Sequence, residues 1–460
     1  MQNKYRRLLK DTGIFAIGSL GSKLILFFLV PLYTNFMSRE EYGIAELVTS
    51  FSQLLIPVAS VMIGNAVIRF GMKHDEKPEN VAAASMFILL ISIPVSIILV
   101  LLSGLYNAIS PWKIYLLMIV IFSNFSEVER AYLKVKDRNG TFALLGILQT
   151  AVMAGTNVIL LTVLHAGVKG YLMANIIAVA FTAVSAFFCS GIYGDLKKSQ
   201  LDPALIKGMV IFSAPLILTN IGWVVVHSSD RIMLEILVGA SALGIYTAAA
   251  KVPALINVVI SMFNQAWNLS SIREYESSDD SSFYSRSFDA FTVAVFGAAI
   301  IVTAVVKQFM SIYVGAEFRE SWVFVPFLIS AAVFSGISAI LGTLYSAVRR
   351  TKNDMWTMLL CAVVNVIVNY FGIIAFGTWG AVLGTVSAYF VVSIVRIIDI
   401  RRYLAIQYQY RRLIINTLLM LCQALAVSAD KYAIPVSIVA ILLFILNNVT
   451  MIRGLLKRGK

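Results

Sequence analysis

The chain has 460 residues, 59% of them hydrophobic and only 13% charged, with a mean hydropathy of +0.85 and a formal net charge of +13. A soluble domain carries roughly 25% charged residues, so water is not the main solvent here and length does not count soluble domains. Cys189, Cys361 and Cys422 lie far apart in apolar stretches and His74, His165 and His227 are scattered, which excludes a metal centre; three buried free thiols are expected.

Hydrocarbon about 30 Å thick needs roughly 20 apolar residues of helix, because every backbone amide must be satisfied inside the segment. A barrel would alternate in polarity over strands of roughly 10 residues, whereas Leu24–Leu32 (LILFFLVPL) and Met86–Leu102 are continuously apolar. The basic start MQNKYRRLLKDTG leads into a long apolar stretch with no small-residue cleavage site, and reads as a retained first helix. From there the apolar stretches fall at 12–36, 44–68, 81–105, 112–132, 141–165, 168–190 and 208–237. They continue at 240–268, 284–309, 322–346, 355–377, 379–400, 412–428 and 432–452. This pattern predicts an all-α integral membrane protein of about fourteen spans, multi-pass in a cytoplasmic (inner) membrane. Between spans eight and nine, the Ser-rich, acidic segment 269–283 is expected to be a mobile cytoplasmic connection and a hinge between lobes.

Lys and Arg are retained on the cytoplasmic side of short loops, which tests the orientation independently of how spans are drawn. With the N-terminus inside, 28 of the 37 basic residues fall in inside segments. Seven fall outside: Arg39, Lys113, Lys169, Arg231, Lys307, Arg319 and Lys431. Both termini are therefore expected in the cytoplasm. The net positive charge is the ordinary consequence of basic loops facing anionic lipid, and no nucleic acid is needed as a partner.

Glu41-Tyr42-Gly43-Ile44-Ala45 recurs in kind as Ala242-Leu243-Gly244-Ile245-Tyr246, about 200 residues later and six spans on. Six spans preserve orientation, so residues 1–200 and 201–402 read as parallel six-helix lobes, followed by a pair of helices in 403–460. Parallel repeats are a transporter design with the site between halves near the midplane.

The two remaining basic residues, Lys23 and Lys251, lie within spans, roughly 11 and 12 residues from the nearest end, or about 17–18 Å deep. A charge at that depth is tolerated when it faces the bundle interior or an aqueous cavity; the bland alternative is snorkelling, or pairing with a carboxylate such as Glu46. One cation in each lobe suits an anionic headgroup such as a diphosphate. Glu46, near the outward end of span two, and His227, Asp230 and Arg231, near that of span seven, are candidates for gating or for coupling to H+ or Na+; an interfacial polar cluster closing the outer mouth is the alternative for the last three.

Glu127, Glu129 and Arg130 read as solvated helix-end residues, Arg396 and Asp399 as a pair along one face, and Asn365 and Asn369 as neighbours on another. No P-loop, H-E-x-x-H or G-x-S-x-G occurs, so neither catalysis nor ATP hydrolysis by this chain is expected, nor any cofactor.

The opening LLKDTGIFAIGSLGSKLILFFLVPLYTNFMSREEYGIAELV resembles the start of the polysaccharide transporter (oligosaccharide-lipid flippase, Wzx/RfbX-like) family. SSDRIMLEILVGASALGIYTAAAKV resembles that family's second-half signature, and SWVFVPFLISAAVFSGISAILGTLYSAVRRTKND its tenth span and basic loop. The resemblance implies a MATE-like fold of two six-helix lobes forming a V, with cavity cations on the lipid diphosphate, a role that maps here onto Lys23 and Lys251. It implies a flippase for polyprenyl-diphosphate-linked oligosaccharide of capsule, lipopolysaccharide O-antigen or a related envelope polymer, working with envelope-polysaccharide assembly proteins. The rivals are a cation-coupled multidrug exporter of the same superfamily, a membrane-embedded envelope enzyme and an assembly scaffold.

Overall fold

A computed structural model describes residues 21–72, 76–277, 281–348 and 350–458. Its elements in chain order begin with α1 (Gly21–Phe36), α2 (Arg39–Ala59), α3 (Ile63–Gly71), α4 (Pro78–Ser103), α5 (Lys113–Val135), α6 (Asn139–Val158), α7 (Gly167–Ser190) and the short α8 (Ile192–Leu196). There follow α9 (Pro203–Leu237), α10 (Ala240–Ser277), α11 (Ser281–Tyr313), α12 (Val325–Ala347), α13 (Thr351–Phe376), α14 (Thr378–Ile400), α15 (Tyr410–Ser428) and α16 (Ala433–Arg458). All are helical, as the continuous apolar runs require, and among the described residues there is no strand.

Eleven of these helices are long and apolar enough to cross a bilayer among the described residues. The expected spans one, four and eight fall outside that set for identifiable reasons. Residues 12–20 of span one lie outside the described residues; α5 carries Glu127, Glu129 and Arg130; α10 carries Lys251 and the amides Asn257, Asn264, Gln265 and Asn268. Span two is not one helix. Pro57 lacks an N–H for the ladder, and Val61 and Met62 adopt left-handed φ of 53° and 51°, separating α2 from α3. The expected loop 269–283 is helical through Ser277 and again from Ser281, because Arg273, Glu274 and Glu276 are good helix formers; residues 278–280 lie outside the described residues.

The chain divides into two compact units, Met1–Ser228 and Ser229–Lys460. In unit 1, α5 packs on α7, α3 and α4, and the first turns of α9 add Leu205 and Met209 to a core with Ala66, Val67, Leu89 and Val128. In unit 2, α12 packs on α10 and α14, α13 on α14, and the α15–α16 pair on α11. Lipid tails are as apolar as leucine, so close packing and hydrogen bonds, rather than apolar burial, select which helices pair.

The α13–α14 hairpin makes that explicit. Its turn is Gly377 at φ 57°, ψ −130°, a conformation that a Cβ disfavours. Beyond it, Gly380 lies against the backbone of Gly372, and Gly384 against the side chain of Asn369, so closely that a Cβ at either position would overlap its neighbour. Gly380 and Gly384 are four apart, the small-residue spacing that lets membrane helices approach.

At the basic end of each unit a tyrosine ties two helices together. Tyr132 of α5 donates to Asp195 Oδ2 of α8 at 2.7 Å, and Lys136 Nζ lies 2.8 Å from the same oxygen. Tyr345 of α12 donates to Asp399 Oδ2 of α14 at 2.9 Å, as does Asn353 of α13 at 2.8 Å. Arg396 does not pair with Asp399 as expected. It is 2% exposed and reaches across α13 to Asp354 Oδ1 at 2.5 Å, Thr357 Oγ1 at 3.0 Å and the Ser338 carbonyl of α12 at 2.8 Å. A guanidinium this buried needs several acceptors at once, which one neighbour on its own helix cannot supply. Of the cysteines only Cys361 is buried; Cys189 and Cys422 are exposed on the surface of lipid-crossing helices.

Two predictions follow from these contacts. Gly380→Leu is expected to destabilise the purified protein by about 3 kcal/mol or more, since the backbone of Gly372 cannot move aside; an unchanged melting temperature in detergent would mean that the two helices do not meet there. At Asp195, partial desolvation pushes the carboxyl up, but hydrogen bonds from Lys136 and Tyr132 and the charges of Lys136 and Lys198 outweigh it, leaving the group below its ordinary value. Stability from a depressed carboxyl is fully present above the unfolded value and is lost as pH falls through the folded one. Asp195→Asn is therefore expected to lower the melting temperature at pH 7, with the deficit closing only below about pH 3.9; a deficit independent of pH would count against an ionic role.

Candidate functional site

Each unit holds a buried carboxylate enclosed by tyrosine and hydroxyl groups. In unit 1, α2 begins with a capping box in which Ser38 Oγ accepts from the Glu41 amide at 3.2 Å and Glu41 Oε2 accepts from the Ser38 amide at 2.9 Å. This fixes the first turn and sets Tyr42 and Glu46, four apart, on one helix face. Glu46 is 3% exposed and accepts from Tyr171 of α7 at 3.3 Å. The ring of Tyr33 from α1 packs edge-on to Tyr171 at 4.9 Å and stacks with Tyr42 at 5.8 Å.

In unit 2 the acid is Asp230 of α9, 5% exposed. Tyr246 of α10 donates to its Oδ2 in a short hydrogen bond, Thr385 Oγ1 of α14 lies 3.5 Å from the same oxygen, and the Arg231 amide donates to Oδ1 at 2.8 Å. One step along α14, Gly384 makes room for Asn369. Asn369 and Asn365 are fully buried one turn apart on α13, with Asn369 Nδ2 donating to Asn365 Oδ1 at 3.0 Å and Ser229 Oγ donating to that same oxygen at 2.9 Å. Asn365 Nδ2 and Asn369 Oδ1 have no hydrogen-bond partner among the described residues. The donor set is carboxylate, hydroxyl and amide oxygen, suited to a proton or a hard cation, with no nucleophile. Among the described residues no three His, Cys, Asp or Glu side chains converge as a metal site.

The expected residues thus divide by unit. Lys23 is exposed on α1 of unit 1, the unit that also holds Glu46. Lys251 is half-buried on α10 of unit 2, five residues beyond Tyr246, and Arg231 is half-buried beside Asp230. His227 lies on α9, with its side chain outside the described residues. The tyrosines that enclose both carboxylates were not read from the sequence, although Tyr42 and Tyr246 flank the repeated Gly-Ile pair.

Of Glu127, Glu129 and Arg130, expected to be solvated at the helix end, Glu129 is buried instead, and Glu127 and Arg130 are half-buried. Glu129 is 3% exposed, and Glu127 and Arg130 line a cavity of about 360 Å³ inside unit 1 together with Asn65, Lys134, Phe142 and Gln149. Neighbouring helices α3, α6 and α7 enclose this part of α5, which an isolated span would leave open to headgroup water.

Residues 8–268 match the family model described as polysaccharide biosynthesis protein. Protein 1 assigned to the Lsg locus of Haemophilus influenzae is 23% identical over 267 residues, which cover 56% of this chain and 65% of that protein, just under two thirds of its length. A Haloferax volcanii protein named a probable low-salt glycan biosynthesis flippase, Agl15, is 22% identical over 339 residues, covering 72% of this chain and 70% of that one. The fold is similar to the lipid II flippase MurJ in an inward closed conformation, with a TM-score of 0.72 and 13% identity over 96% of this chain and 99% of that one. It is also similar to an outward-facing multidrug resistance MATE family transporter of the MOP superfamily, with a TM-score of 0.58 and 16% identity over 85% and 95% of the two chains. With more than half its length matched, the chain belongs to the polysaccharide biosynthesis protein family, and it is a multi-pass membrane protein with a MurJ- and MATE-like fold.

Proposed function

We propose that the protein is a flippase that carries a polyprenyl-diphosphate-linked oligosaccharide from the inner to the outer leaflet of the cytoplasmic membrane by alternating access. The observation that carries this reading is the family match over residues 8–268, in a chain with one lysine on α1 of the first unit and one on α10 of the second. Lys23 supports it further, because an exposed ammonium in the apolar run of α1 is tolerated where it meets water or an anion rather than lipid. The names of the Haloferax relative and of MurJ, both flippases, point the same way.

In this scheme residues 1–200 and 201–402 are the two lobes that alternate, and residues 403–460 form an accessory pair. Lys23 and Lys251 hold the diphosphate, the sugars occupy the water-filled space and the polyprenyl tail stays in lipid. Mass spectrometry of lipid-linked oligosaccharides in cells lacking the protein tests this directly. One such species is expected to accumulate, to be cleared by the wild type, and to persist with Lys23→Ala plus Lys251→Ala. No accumulation in the deletion strain would turn the assignment toward drug export.

Asp230 is the coupling site in the same proposal. Its oxygens, with Thr385 and the unpartnered Asn369 Oδ1 close by on α14 and α13, offer a proton or Na+ an all-oxygen setting. Asp230→Asn keeps the shape and removes the charge, and is expected to lower uptake driven by a Na+ or pH gradient in proteoliposomes about tenfold, on the scale of one buried charge-assisted hydrogen bond. Uptake that keeps its full gradient dependence in this variant would assign coupling elsewhere.

A further inference from the structure

We propose that the cavity on α5 is a loading site for the diphosphate of an inner-leaflet polyprenyl-diphosphate lipid, built on Arg130 and Lys134 rather than on Lys23 or Lys251. The assignment rests on the flippase reading and adds to it a place where the headgroup first binds.

The Arg130 guanidinium carbon lies 4.6 Å from the centroid of the Phe142 ring, and Lys134 Nζ lies 4.3 Å from the same centroid. One aromatic ring from α6 therefore holds two cations that stand four residues apart on α5, where like charges repel. Glu127, one turn before Arg130, offsets one of them, which leaves a net positive charge on the cavity wall. Arg130 Nη1 makes a long contact of 3.4 Å with Gln149 Oε1, and its Nε is buried with no hydrogen-bond partner among the described residues. An unsatisfied guanidinium beside a second cation is a poor end state for packing and a good one for an oxyanion, since the planar fork takes two phosphate oxygens and the ammonium a third.

Two glycines lie against the charged side chains. A Cβ at position 64 would stand 3.1 Å from Glu127 Cγ, and one at position 146 would stand 3.5 Å from Arg130 Nη2. The volume of about 360 Å³ lies at the small end of ligand cavities, roughly 300–1,000 Å³, and suits a headgroup better than a glycan of several sugars. Depth favours the same ligand. Arg130 stands five residues from the end of α5, about 7.5 Å at helical rise, and the chain then enters the basic segment Lys134–Arg138. By the distribution of basic loops this end faces the cytoplasm, at the level where an inner-leaflet diphosphate starts.

The test uses the purified full-length protein in detergent, with native mass spectrometry of polyprenyl diphosphate, polyprenol and inorganic pyrophosphate as probes. Arg130→Gln plus Lys134→Gln is expected to weaken polyprenyl diphosphate about tenfold or more, the scale of one charge-assisted hydrogen bond, and to leave polyprenol binding unchanged. Gly146→Leu, which crowds the Arg130 guanidinium from α6 and keeps every charge, is expected to weaken the diphosphate lipid in the same way, so that the result does not hang on one variant folding. Wild-type affinity in both variants would overturn the site while leaving the flippase reading intact. Inorganic pyrophosphate binding the wild type as tightly as the lipid does would assign the cavity to a free phosphate compound instead. A wild type that does not distinguish polyprenyl diphosphate from polyprenol would sink the flippase reading itself.

Discussion

Inside hydrocarbon a polar group has no water to fall back on, so each amide, hydroxyl and charge must find its partner within the protein. For the backbone this leaves only helices, and every regular element among the described residues is helical. For side chains the same rule decides which helices stay together. The α15–α16 pair is joined by Asn416, Asn447 and Asn448, and Gln423 of α15 donates to the Ile300 carbonyl of α11 and to Ser437 of α16. Arg396 does for α12, α13 and α14 what these amides do for α11, α15 and α16. Close backbone approach at Gly372, Gly380 and Gly384 adds dispersion contacts that larger side chains would prevent.

How much of this could be read in advance follows from the range of each signal. The spans were legible because apolar composition is local: the expected stretches 81–105 and 379–400 became α4 (Pro78–Ser103) and α14 (Thr378–Ile400). The break at Val61 and Met62 was not legible, since Pro57 marks where a helix is weakened and not where it turns. Partner choice was least legible of all. Arg396 and Asp399 sit three apart and satisfy the pairing rule for one helix, yet Asp354 lies 42 residues away and takes the arginine. The same holds at the candidate sites. Glu46 and Asp230 stood out as carboxylates in apolar sequence, whereas Tyr171 and Thr385, which meet them from other helices, look like ordinary residues of α7 and α14.

Position along the span separates the charged groups into kinds that composition alone merges. Arg130 and Lys134 stand in the last two turns of α5 with Glu127 and Glu129 close by, Lys23 and Lys251 on α1 and α10, Glu46 in the third turn of α2 and Asp230 two turns before the end of α9. On the flippase reading these cations draw in an anion such as a diphosphate and repel the cationic cargo of a drug exporter.

On the flippase reading the physical problem is asymmetric. The polyprenyl tail never has to leave lipid, and exposing it would cost about 25 cal/mol per Å² of apolar surface. The diphosphate has to lose its water, a penalty of several kcal/mol per charge that only fixed cations can offset. A single deep, tight site would offset it and then hold the cargo there, because passage needs binding strong enough to enter and weak enough to leave. Cations of two kinds meet both halves of the problem: an arginine whose planar fork captures the headgroup, and lysines, compact and strongly hydrated point charges, where release matters more than grip.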